Sequence, residues 1–149
     1  MRILVLSLEE TINYVMDHYA PPGCEEFTER TDDYAVISFQ DTHLGGFGIE
    51  FTENKYCKGV LTLYVDDIVK EVEGAGLFYD EHAKQIVSFV DKHKDIIDTL
   101  VVHCYAGQSR SVAVGKALSE LYNVNCSNIK SKNPNEHIYS TMINTKRRM

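Results

Sequence analysis

The chain has 149 residues, 44% of them hydrophobic and 25% charged, the profile of one ordinary globular domain able to bury roughly 70% of its unfolded surface. A net charge of −7 argues against nucleic acid as a partner, because a phosphate backbone calls for a basic surface. No apolar run approaches the roughly 20 residues that cross a bilayer, which argues against a membrane partner.

Residues 2–6 read as a buried strand. The apolar start of the chain runs directly into Glu9 and Glu10 and lacks a small-residue cleavage site, so a strand is expected rather than a signal peptide, and the protein is expected to be cytoplasmic. Ser7 stands three residues before Glu10, the spacing of a capping box that opens a helix. Leu8, Ile12, Val15, Met16 and Tyr19 are its expected inner stripe, and Pro21-Pro22-Gly23 its stop. Residues 34–39 form a second strand, 41–48 a glycine-rich loop, 60–65 a third strand and 73–76 a flexible connection. From Asp80 a helix is expected with Ala83, Ile86, Val87 and Val90 on one face. A short apolar strand follows at 100–103, then a helix over 110–122 burying Val114, Ala117, Leu118 and Leu121. Asn133-Pro134 precedes a last helix carrying Ile138, Met142 and Ile143. Strands alternating with helices predict a single α/β domain, with a central, mostly parallel sheet flanked by helices on both faces. Ligands of such sheets sit beyond the carboxyl ends of the strands, where His103-Cys104 falls.

The four cysteines (24, 57, 104 and 126) include no CxxC pair, so neither a metal site nor another cofactor is expected. They read as reduced thiols. Cys57 or Cys126 is a candidate for a reversible disulfide that shields Cys104. His82 and His93 read as solvated helix-surface residues, and His18, His43 and His137 as isolated. Lys146-Arg147-Arg148 read as a solvated tail.

His103-Cys104-Tyr105-Ala106-Gly107-Gln108-Ser109-Arg110-Ser111 carries the chemistry. A strand ends at Cys104, five residues wrap round, and a helix starts near Arg110. Small residues (Ala106, Gly107, Ser109) let the loop curl so that backbone N–H groups point inward, and such a nest backed by a helix N-terminus binds anions. The same field favours the Cys104 thiolate. Arg110 offers a planar fork for two phosphate oxygens, and the Ser111 hydroxyl can donate to the sulfur. The segment resembles the Cys-x5-Arg signature loop of the protein tyrosine phosphatase superfamily, including the preceding His, the central Gly and the following Ser. Five such matches at fixed spacing arise by chance on the order of once in a million start positions. The order of strand 60–65, Asp66-Asp67, helix and signature strand is similar to the compact dual-specificity branch. So is Asn133-Pro134-Asn135 with Ile138-Tyr139, which resembles small bacterial and phage members. The similarity covers roughly 59–143.

That resemblance implies a cysteine-based phosphatase fold and an aspartate general acid upstream of the loop. Asp66 and Asp67 are 38 and 37 residues before Cys104. Side chains alternate along a strand, so one of them faces the site while the other caps the turn; Asp67 is the first choice and Asp66 the alternative. The implied chemistry is two-step displacement through a phosphocysteine, with Tyr105 to Arg110 holding a phosphate- or sulfate-like anion and His103 orienting the thiolate. The implied substrate is a phosphorylated protein or peptide, phosphotyrosine first, with phosphoserine and phosphothreonine as further candidates. Tyr105, Ala106, Gln108 and Ser109 are uncharged, which disfavours inositol lipids and RNA 5′-phosphates. The chain has no Trp, hence no Trp-Pro-Asp acid loop. A rhodanese-like sulfurtransferase and a non-catalytic phosphopeptide-binding module remain alternative readings.

Overall fold

Two strands buried along their whole length, β2 (Tyr34–Gln40) and β4 (Thr99–His103), form the middle of a five-stranded sheet. The computed structural model describes residues 1–24, 27–129 and 133–149. Around the two central strands lie β1 (Arg2–Leu6), β3 (Cys57–Tyr64) and a two-residue β5 (Cys126–Ser127), in the order β3-β2-β4-β1-β5 with every pairing parallel. Continuous β-branched and aromatic runs such as Tyr-Ala-Val-Ile-Ser-Phe-Gln suit strands covered on both faces.

Among the described residues, three helices of eight or more residues join strands, α1 (Leu8–Met16), α2 (Asp80–His93) and α3 (Arg110–Tyr122), and a fourth, α4 (Glu136–Arg148), follows β5. From β1 the chain steps across β4 to reach β2, then turns back from β3 to β4 and on to β5. A right-handed crossover therefore places α1 on one face and α2 and α3 on the other. The apolar contacts agree with this. Leu8, Ile12, Val15 and Tyr14 pack with Tyr34, Val36, Val101 and Phe51, whereas Ile86, Val90, Val114, Leu118, Ile138 and Met142 pack on the opposite side with Ile3, Ile37 and Leu100.

The capping box forms as expected, with Glu10 N–H on Ser7 Oγ at 3.1 Å and Ser7 N–H on Glu10 Oε1 at 3.0 Å. The inner face of α1 differs from the apolar stripe. Met16 and Tyr19 are exposed, while Thr11, Tyr14 and His18 are buried. The helix also ends at Met16, ahead of the proline pair. A polar network explains the rotation: Asp32 accepts from the Tyr14 hydroxyl, from Thr99 Oγ1 at 3.0 Å and from His18 Nε2 at 2.9 Å. Burial would raise the Asp32 pKa, but the Tyr14, Thr99 and His18 hydrogen bonds outweigh it and hold the carboxyl below its ordinary range. Helix α1 is thereby tied to the first residue of β4.

Other surface assignments also change. His93 is buried, its Nδ1 2.8 Å from the Phe89 carbonyl oxygen, and its ring fills the space that the missing side chain of Gly59 leaves on β3. His82 Nδ1 accepts the Tyr79 N–H at 2.9 Å and so closes the start of α2. His137 Nε2 lies 2.7 Å from the Phe78 carbonyl, so it is not isolated. Lys146, Arg147 and Arg148 form the last turn of α4 rather than a tail beyond it; Arg147 and Arg148 are exposed, as expected of solvated residues, and cations there complement the helix dipole. Among the described residues no helix is long and apolar enough to cross a membrane.

Removing the Asp32 carboxylate leaves buried Tyr14 and His18 groups without their acceptor, at a cost of about 1–3 kcal/mol. Urea denaturation of Asp32→Ala should show that loss at neutral pH. Because the folded pKa is depressed, the stabilisation is complete above the unfolded value of about 3.9 and disappears as pH falls through the lower folded value. A variant that unfolds at the wild-type urea midpoint contradicts this role.

Candidate active site

The register brings three strand ends together. His103 pairs with Leu6 of β1 on one side and with Ser38 of β2 on the other, so the loop after β4 emerges in the crevice between the exits of β1 and β2. Gly107 takes φ +70°, and a Cβ there would lie 2.7 Å from Ser7 N and 2.8 Å from the Leu6 carbonyl carbon. Only glycine accommodates both the left-handed backbone and that approach. The Tyr105 carbonyl accepts the Leu8 N–H at 2.9 Å, which clamps the loop to the start of α1.

Within the bend, Cys104 is 3% exposed, Arg110 6% and Ser111 fully buried. Cys104 Sγ lies 3.1 Å from Ser111 Oγ. Burial alone would raise the thiol pKa. The Ser111 hydroxyl and N–H, the Arg110 charge and the Gly107 N–H outweigh it, and the pKa falls below its ordinary value. Among the described residues, no backbone carbonyl receives the N–H of Ala106, Gly107, Gln108 or Ser109. The bend therefore offers amide donors to an anion.

Arg110 is oriented by partners far away in sequence. Its Nη1 donates to Asp41 Oδ1 at 2.6 Å and to the Val65 carbonyl at 2.8 Å. Among the described residues no hydrogen bond occupies Nε or Nη2, so one edge of the fork remains for an oxyanion. Nothing local in the sequence marks Asp41, 69 positions away, as the guanidinium's partner.

His103 is buried and does not face the sulfur. Its Nε2 is 2.6 Å from Ser38 Oγ and its Nδ1 is 3.0 Å from the Cys104 carbonyl oxygen. Burial is the main reason its pKa drops to about 4, opposed by the Cys104 carbonyl and assisted by the Arg110 charge. A neutral imidazole thus braces the backbone of Cys104. Its ring stands edge-on to Phe51, with centroids 5.3 Å apart.

The adjacent carboxylates diverge. Asp66 accepts the Thr42 N–H at 3.0 Å, the Thr42 hydroxyl at 2.5 Å and the Gly76 N–H at 2.7 Å. Burial acts against it, yet the Thr42 and Gly76 bonds hold its pKa below the ordinary carboxylate range. Asp66 staples the loops together and is ill-suited to carry a proton. Asp67 turns the other way: its Oδ1 accepts from Ser109 Oγ and from Asn135 Nδ2, each at 2.8 Å. Among the described residues Oδ2 has no hydrogen-bond partner. Asp67 is exposed and opens onto a groove of about 760 Å³ lined by Ser109, Asn135, Lys70, Lys116 and Tyr139. Cys104 does not line that groove, which runs beside the bend.

Tyr105 is 64% exposed and meets the Phe47 ring edge-on at 5.5 Å, so the glycine-rich loop contributes an aromatic rim. Cys57 and Cys126 lie remote from Cys104. Tyr34 pairs with both Cys57 and Thr99, which leaves the strand rise from 99 to 104, roughly 16 Å, between Cys57 and Cys104. Cys126 pairs with Ile3, itself opposite Leu100, and is separated by a similar distance. A disulfide needs Cα atoms within about 7 Å, so neither thiol bridges to Cys104. All four cysteines are free.

Chemically, among the described residues, the bend combines a sulfur biased toward its anion, backbone amides without carbonyl acceptors, one guanidinium edge without a hydrogen bond and a carboxyl with one unbonded oxygen. Comparison with models of known protein families finds no match for the chain, and comparison with curated proteins finds none either.

The ultraviolet thiolate absorbance of wild type minus Cys104→Ala should titrate with a midpoint below the roughly 8.5 of a free cysteine. Ser111→Ala and Gly107→Ala should each move that midpoint upward. A wild-type midpoint at or above the free value contradicts the geometry.

Proposed function

We propose that the protein is a cysteine-dependent phosphomonoesterase that hydrolyses phosphorylated protein or peptide, a member of the protein tyrosine phosphatase superfamily acting through a phosphocysteine. The observation that carries this reading is the Cys104–Ser111–Arg110 constellation in an amide-lined bend, with Asp67 fastened to the same bend through Ser109. In the first step Cys104 Sγ forms a bond to phosphorus while the bond to the leaving oxygen breaks, and that oxygen takes the proton from Asp67. In the second step the Asp67 carboxylate removes a proton from water, which attacks phosphorus and releases phosphate. The Ser111 hydroxyl steadies the departing thiolate. Arg110 and the loop amides stabilise the equatorial oxygens throughout. The aromatic rim of Tyr105 and Phe47 supports an aryl ester, hence phosphotyrosine, as the first substrate to test. A cytoplasmic location is part of the same proposal.

Hydrolysis of p-nitrophenyl phosphate and of phosphotyrosine, phosphoserine and phosphothreonine peptides tests it. Cys104→Ser should fall to background, and Arg110→Lys should lose most activity because a point charge cannot replace a planar fork. On phosphotyrosine peptide, Asp67→Asn should cost roughly 10²–10⁴-fold, with a much smaller loss for Asp66→Asn. Equal losses for the two aspartates would overturn the acid assignment. Sulfur transfer from thiosulfate without phosphate release, or phosphopeptide binding without turnover, would replace the enzyme class itself.

A further inference from the structure

Asn135 is 4% exposed, and its polar atoms serve three segments. Its Oδ1 accepts the Ile138 N–H at 3.0 Å and caps α4. Its backbone N–H donates to the Ser109 carbonyl at 3.2 Å. Its Nδ2 donates to Asp67 Oδ1 at 2.8 Å and to the Ile68 carbonyl at 3.0 Å. A capping residue ordinarily needs only the first of these bonds. The remaining three join the end of the phosphate loop to the loop that carries Asp67.

We infer that Asn135 is a positioning residue that sets which oxygen of Asp67 carries the transferable proton. The inference rests on the phosphatase reading and deepens it. A protonated carboxyl has one accepting oxygen and one that bears hydrogen. Asn135 and Ser109 both donate to Oδ1, and two donors on one oxygen exclude the proton from it. The proton is thereby assigned to Oδ2, the oxygen without a partner among the described residues. The bond to the Ile68 carbonyl fixes the backbone beside Asp67, so the amide holds both the carboxyl and the chain that bears it. Helix α4, which is otherwise a packing element against α2 and α3, thus reaches the chemistry through its first turn.

The test separates capping from positioning. Serine caps a helix about as well as asparagine, but it has no amide to reach Asp67. Asn135→Ser should therefore keep the α4 cap and still unfold in one cooperative step, its midpoint lowered only by the loss of the two Nδ2 bonds. Proton donation matters only when the leaving group is a poor anion, so the readout is leaving-group dependence. On phenyl phosphate or phosphotyrosine peptide kcat should fall roughly 10- to 100-fold, less than the loss of the acid itself. On an activated aryl ester with a strongly acidic phenol it should fall less than about 3-fold, because that leaving group needs little protonation. The Asn135→Ser/Asp67→Asn double variant should be no slower than Asp67→Asn alone, as for residues acting through one step. Uniform loss on both esters, or additive losses in the double variant, would overturn the role of Asn135 while leaving the phosphatase reading intact. A wild-type chain inert on every ester would overturn that reading and this inference together.

Discussion

Cys104 and Arg110 are withdrawn from water together, and the cost of burying charge governs the architecture around them. An ion moved from water into a protein interior costs several kcal/mol unless partners replace the lost hydration. Here the partners come from every direction. Ser111 and Gly107 face the sulfur, while Asp41 and the Val65 carbonyl hold the guanidinium. The bend that brings these groups together is possible because Gly107 lies against the backbone of Leu6 and Ser7. A methyl group there would meet main chain rather than a side chain able to move aside. The parallel register of β1 and β4 therefore positions the bend between Cys104 and Ser111 as directly as its own residues do.

Three aspartates surround this centre, and their environments assign them different work. Asp41 orients Arg110, Asp66 is saturated by Thr42 and Gly76, and Asp67 keeps one oxygen unbonded among the described residues. Strand β3 ends at Tyr64 and the chain bends at Asp67, where the Ile68 N–H donates to the Asp66 carbonyl at 3.0 Å, so Asp66 and Asp67 reach different partners. Hydrogen-bond donors crowd both oxygens of Asp66 and, among the described residues, leave one oxygen of Asp67 open, as the proposed proton donor requires. His103 follows the same logic. Burial keeps its imidazole neutral above about pH 4, which removes a cation that would otherwise compete with Arg110.

The parts of the site legible in the sequence were those within one turn of chain. Cys104, Gly107, Arg110 and Ser111 fall in one short bend whose spacing states its geometry. The alternation of strands and helices likewise predicted the parallel sheet and its two helical layers. Contacts spanning long separations left no local mark: Asp41 to Arg110 is 69 positions and Asn135 to Asp67 is 68. Asn135 is visible in the sequence as part of a motif before a helix, but not as a partner of Asp67. Hydropathy favours Met16 and Tyr19 for the inner face of α1, yet both are exposed. The Asp32 network instead draws in Thr11, Tyr14 and His18. Strand β5 has two residues, too few to produce any period.

The decisive question is whether sulfur becomes bonded to phosphorus. Acid quenching of the full chain within milliseconds of mixing with an aryl phosphate, followed by peptide mapping, answers it. A phosphate adduct on Cys104 that builds and decays with turnover is the expected result. Steady phosphate release with no adduct at Cys104, or with an adduct on another residue, would contradict the account.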